Sequence, residues 1–197
     1  RLAQLLEGDS RYLALTDTQK KLLTLFAAGL PDSEVAAEVN GPLPFSIELD
    51  SDQPQVLIFH THATESYEPY DTDTYDLRNT WRTTNNNDNM VAVGDVLEKT
   101  LRDAGIGVIH DKTQHDYPSY NGSYERSAET IKGYLKKYPT IKIALDIHRD
   151  GIQREDDLIV KPVVEVDGKK ASQLMIITGS DDGTMNVPKW RENLRFA

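Results

Sequence analysis

At 197 residues, 38% hydrophobic and 27% charged, the chain has the length and balance of a soluble globular protein that buries a full core, one main domain with a smaller appendage. A net charge of -10, from 32 acidic and 22 basic residues, argues against nucleic acid as a partner, because a phosphate backbone needs a positive footprint. Cysteine is absent, which removes disulfides and thiolate metal sites, leaves histidine and carboxylate as metal ligands, and fits an extracytoplasmic bacterial protein. No run approaches the length of a membrane helix, and the sequence opens at Arg1 without a signal peptide, as expected of a fragment excised from something longer.

Residues 1–53 read as a helical lead-in. Thr16-x-x-Gln19 forms a capping box ahead of Leu22, Leu23, Leu25 and Phe26, Gly29 and Pro31 stop that helix, and Ser33 to Val39 has the pattern of a further short one. Pro42, Pro44 and the acidic run from Glu48 to Asp52 mark the boundary, and an α/β domain is expected over residues 54–197. Val56 to Phe59 is a continuous apolar run, the pattern of a central strand buried on both faces. A long loop from Ser66 to Asn89 carries Tyr67, Tyr70, Tyr75 and Trp81, which suit sugar or peptide contacts as well as ordinary loop packing.

From Asn89 the period changes to that of a helix, with Met90, Val93, Leu97, Leu101 and Ala104 on one face and Gly105 at its end. Ile106 to His110 is a short strand, Asp111 to Ser123 a polar loop, and Tyr124, Ala128, Ile131 and Leu135 define a second amphipathic helix ended by Pro139. A third strand-like run, Ile141 to Asp150, follows and ends in polar residues, with Asp146 and His148 two apart on one face. Alternating strands and helices predict a mixed, mostly parallel sheet flanked by helices. Past Gly151, Val160–Val166 and Gln173–Thr178 flank Asp167-Gly168, so an antiparallel hairpin is expected to join the sheet, and a last helix starts near Val187.

Chemistry concentrates where two of these strands end. Within six residues after the first strand stand His60, His62 and Glu65; at the end of the third stand Asp146, His148, Arg149 and Asp150. Open α/β sheets place ligands beyond the carboxyl ends of their strands. His62-x-x-Glu65 has the interval of a metal ligand followed by a carboxylate, and a distant histidine, His148, completes a set of two nitrogens and one oxygen suited to zinc. His60 competes with His62 as first ligand, since two-residue spacing sends both to one side if the strand continues. His110 and His115 read as structural.

The segments Leu57–Tyr67, Asn89–Gly94, Val108–Lys112, Tyr117–Gly122 and Leu145–Asp150, in this order, resemble the stage II sporulation protein P family. The resemblance covers residues from about 54 onward. It implies an amidase-like fold and a Zn2+-dependent peptidoglycan hydrolase, similar to N-acetylmuramoyl-L-alanine amidases, that removes stem peptides and cuts peptide cross-links. It further implies action in forespore engulfment, membrane-anchored and facing the wall, with stage II sporulation proteins D and M as partners. Carried onto this chain, the metal ligands are His62, Glu65 and His148. Asp146 and Asp150 orient a histidine, and Arg149 meets a substrate carboxylate or an ion pair. The zinc amidases also use a glutamate in a motif like Leu-Ile-Glu-Val-Gly, which this sequence lacks. A zinc carboxypeptidase, sharing the order His-x-x-Glu then His, and a peptidoglycan-binding module without activity are the competing readings.

Overall fold

The computed structural model describes residues 37–38, 40–68, 78, 80–154, 158–179 and 187–197. The expected helices of the lead-in, apart from Ala37 and Glu38, and the middle of the Ser66–Asn89 loop lie outside the described residues. These residues fall into two compact units, Ile47–Val160 and the segments on either side of it.

The first unit is built on three parallel strands, β1 (Val56–Phe59), β2 (Val108–His110) and β3 (Ile143–Asp146), in the order β2-β1-β3. The fully buried run Val56–Phe59 is therefore central, as its unbroken apolarity requires. Helix α1 (Met90–Asp103) links β1 to β2, and α2 (Ser123–Lys137) links β2 to β3 across the sheet. Val56, Ile58 and Val108 form the core of one face, covered by Leu97, Leu101 and Ile106 and by Ile143, Leu145 and Ile147. An order of 2-1-3 makes the gap between β1 and β3 the point where the chain reverses its direction of travel across the sheet, the customary place for a ligand in such folds.

Local chemistry explains the helix boundaries. Asn89 caps α1 by accepting from the Val91 N–H at 2.9 Å. At its other end Gly105, with φ of 80°, donates to the Arg102 carbonyl while Ile106 donates to Leu101, the paired bonds of a Schellman stop. The buried stripe differs from the expected one. Val93 is exposed, and Gly94 is buried in its place. On α2, Tyr124 and Leu135 are likewise exposed, whereas Ser123 and Ser127 are buried, because that face meets a polar turn rather than an apolar core.

The second half departs from expectation more clearly. Short strands β4 (Ile152–Gln153) and β5 (Ile159–Val160) pair with each other, and β6 (Val163–Val166) pairs with β7 (Lys169–Ser172). Each pair is its own two-stranded sheet, so the hairpin does not join the parallel one. Its second arm is Lys169–Ser172 and not Gln173–Thr178. Asp167 and Gly168, with φ of 51° and 74°, make a two-residue turn that brings Val166 directly opposite Lys169. Helix α3 (Trp190–Phe196) forms where a helix was anticipated, with Phe196 against Phe45 and Arg191 paired to Glu38 at 2.9 Å.

Gly94 of α1 packs directly on two imidazole rings. A methyl group there would sit 2.4 Å from His110 Nε2 and 2.8 Å from His60 Nε2. Gly94→Ala should therefore lower stability by about 1–3 kcal/mol through overpacking, despite a better helix former. Gly133→Ala, in α2 with nothing within 4 Å of the added carbon, should raise stability by about 0.5–1 kcal/mol. Denaturant midpoints of the two variants check the contrast; a tolerated Gly94→Ala would contradict the packing described.

Candidate metal centre

Parallel pairing of β1 with β3 aligns Phe59 with Asp146, and Ile147 donates to the Phe59 carbonyl at 3.0 Å, so the segments that leave both strands start side by side. β1 stops at Phe59 and the chain turns through Thr61–Thr64, which returns Glu65 to within a hydrogen bond of the His62 carbonyl. Glu65 Oε1 then lies 3.4 Å from His62 Nδ1, and its Oε2 lies 3.4 Å from His148 Nδ1. With one donor atom from each residue, the three all fall within 4.8 Å of one another.

The outer partners fix which nitrogens face inward. His148 Nε2 is 3.0 Å from Asp146 Oδ2, so it donates its proton there and leaves Nδ1 directed at Glu65. Asp146 is held in turn by the Thr61 N–H at 2.8 Å and the Thr61 hydroxyl at 2.6 Å. His62 Nε2 is 3.1 Å from the Ser123 hydroxyl, which again leaves Nδ1 for Glu65. The Arg149 N–H donates to Glu65 Oε2 at 2.9 Å and fixes the carboxylate from the β3 side. Two imidazole nitrogens and a carboxylate, each oriented by a second hydrogen bond, suit a zinc ion with an open fourth position. Donors about 2.0–2.1 Å from a tetrahedral zinc stand roughly 3.3 Å apart, close to the spacing here.

His60 lies elsewhere. It is fully buried, its Nδ1 3.1 Å from the Ile147 carbonyl and its Nε2 2.8 Å from His110 Nε2. The strand does not continue to His62, so the two histidines diverge instead of sharing a side. Arg149 stands at the site through its backbone; its guanidinium contacts the Asp150 carbonyl at 3.3 Å. His115 is structural, bridging the His60 carbonyl and Thr130.

Several residues at the site were not singled out from the sequence. Arg82 binds Asp116 at 2.8 Å, reaches Glu65 Oε1 at 3.6 Å and lies over the Tyr120 ring. Asp116 also accepts from the Thr64 hydroxyl at 2.6 Å. Tyr120 stacks on His62 with ring centres 4.7 Å apart, and Tyr124 meets it edge-on. The forewarning of these contacts was the aromatic content of the Ser66–Asn89 loop and the segment Tyr117–Gly122, which carries part of the family resemblance.

Electrostatics follow the geometry. Burial holds His60 down to about 4, so it is neutral. Burial also lowers His62, with Glu65 opposing. For Glu65, burial raises the carboxyl, but the His148 and Arg149 hydrogen bonds outweigh it and the net shift is downward. His148 is raised to about 10 by its hydrogen bonds to Asp146 and Glu65, against the effect of burial. A folded value above the ordinary 6.5 means that this group's contribution to metal-free stability is complete below pH 6.5 and disappears as pH climbs towards 10. Metal-free protein should thus lose stability between pH 7 and 10, and Asp146→Asn should shrink that loss. Denaturant unfolding across this range checks it, and an NMR titration of His148 centred near 6.5 would contradict it.

The family described as Stage II sporulation protein P (SpoIIP) matches residues 14–197. Stage II sporulation protein P of Bacillus subtilis (strain 168) is 28% identical over an alignment of 137 residues that covers 65% of this chain and 31% of that protein. The chain thus spans about a third of the length of that relative. No solved structure matches it. Since the family match extends over nearly the whole chain, this protein belongs to the stage II sporulation protein P family.

Proposed function

We propose that the chain carries the metal centre of a zinc-dependent peptidoglycan hydrolase that acts in sporulation. The observation that carries this reading is the convergence of His62, Glu65 and His148, from the ends of two neighbouring strands, on one ion-sized space. Zinc bound there would polarise an amide carbonyl and lower the pKa of a coordinated water to near neutrality. The chain's own residues hold the geometry. Asp146 and Ser123 take the outward imidazole protons, and the Arg149 N–H orients the carboxylate.

The surroundings support a substrate that is both sugar-like and charged. Tyr120 and Tyr124 flank His62 and are exposed, offering apolar ring faces to a glycan or a peptide. Arg149 has a buried Nε without a hydrogen-bond partner, a donor that a stem-peptide carboxylate would satisfy. Within this reading the bond cleaved is the amide between muramoyl and L-alanine, or a peptide cross-link. Cleavage takes place outside the cytoplasm during engulfment, beside stage II sporulation proteins D and M and next to an anchoring membrane. Among the described residues no helix is long and apolar enough to cross that membrane.

Purified peptidoglycan, incubated with a zinc-loaded version of this protein extended to the full length of its relative, should gain new amino termini. His62→Ala, Glu65→Gln and His148→Ala should each reduce the rate by about 100-fold or more, while Asp146→Asn should reduce it by roughly 10- to 100-fold through loss of orientation. Release of terminal residues alone would favour a carboxypeptidase. Retention on the wall with zinc bound and no cleavage would favour a binding module.

A further inference from the structure

A second group of donors sits beneath α1, apart from the centre just described. Asp95 and Glu98, three residues apart on α1, face His110 at the end of β2, with one donor atom from each within 4.8 Å of the others. His110 Nδ1 lies 3.1 Å from Asp95 Oδ1 and 3.4 Å from Glu98 Oε2. These separations again match the roughly 3.3 Å between donors on a tetrahedral zinc. The imidazole is 1% exposed, and its Nδ1 has no hydrogen-bond partner, for the oxygens lie off the direction an N–H would take.

A chain of hydrogen bonds decides what that nitrogen carries. The Ile147 carbonyl can only accept, so His60 Nδ1 must be the donor and bears its proton. His60 Nε2 and His110 Nε2, 2.8 Å apart, then share one hydrogen bond, which commits the far nitrogen of the His110 ring. With Nε2 engaged by His60, His110 turns its unpartnered Nδ1 toward two carboxylates. A cation between them, either a proton on Nδ1 or a metal ion, would satisfy all three groups.

We propose that Asp95, Glu98 and His110 form a second divalent-cation site that takes zinc through His110 Nδ1 and one oxygen from each carboxylate. The second hydrogen bond of the imidazole, shared with His60, is the arrangement that metal-bound histidines ordinarily have. Glu98 is oriented by Arg102, which holds Oε1 at 2.9 Å and leaves Oε2 to the site. Lys112 is the resident competitor, its ammonium 2.6 Å from Asp95 Oδ1. An ion here would fasten α1 to the end of β2, one histidine removed from the turn that carries His62.

Zinc titration of the whole chain against a chromophoric chelator tests the proposal. Two equivalents should bind; Asp95→Asn with Glu98→Gln should remove one, His62→Ala the other, and the triple substitution both. Because His110→Ala risks the fold, the pair on the accessible side of the site is the primary variant, with circular dichroism to verify its helix content. Lys112→Gln should tighten the second equivalent by about two- to fivefold, the worth of a half-exposed ion pair. An unchanged stoichiometry in the Asp95→Asn, Glu98→Gln protein, with NMR showing protons on both ring nitrogens of His110, would overturn the metal site and leave an imidazolium ion pair. A protein that binds the Asp95- and Glu98-dependent equivalent but none that depends on His62 would instead count against the first centre and not this one.

Discussion

The parallel pairing of β1 with β3 is the constraint on which the site depends. Because Phe59 stands opposite Asp146, residues 85 or so apart in sequence leave the sheet at the same level, and Glu65 can meet imidazoles from both exits. An antiparallel pairing would have put one of the two at the far edge. The apolarity of Val56–Phe59 is what makes this pairing obligatory, since a strand that is buried on both faces must have a neighbour on each side to satisfy its backbone.

A second theme is the handling of buried polar groups. The turn after β1 is almost entirely buried yet rich in hydroxyls, imidazoles and carboxylates: His60, Thr61, His62, Thr64, Glu65 and Ser66 all lie below the surface. Their side chains hold one another and the neighbouring segments in place. Thr61 serves Asp146, Thr64 serves Asp116, and Asp116 in turn anchors Arg82. Unpaired, such groups would cost about 1–3 kcal/mol apiece. Paired, they fix the inward-facing nitrogens of His62 and His148 before any ion arrives, so that binding need not order the ligands.

Much of this was legible in the sequence, for particular reasons. The strand at Val56, the helix over Met90–Asp103 with its Asn89 cap and Gly105 stop, and the placement of His62, Glu65 and His148 near strand ends all follow from local periodicity and cap chemistry, which a single chain displays directly. What remained hidden depended on the third dimension. His60 and His62 share parity only while the strand lasts, and it ends at Phe59. Gly94 occupies a buried helix position because two histidine rings fill the space a side chain would need, and His110 became a partner of His60 only through strand pairing. For the hairpin, turn chemistry at Asp167-Gly168 decided the register against the more apolar run that follows it.

The central claim is that one ion is held by His62, Glu65 and His148. Its most direct test is a crystal of the zinc-soaked protein measured at the zinc absorption edge. An anomalous peak within about 2.0–2.2 Å of His62 Nδ1, His148 Nδ1 and a Glu65 oxygen is the result expected. A peak coordinated by His60 in place of His62, or density at these three residues with no anomalous signal at saturating zinc, would contradict it.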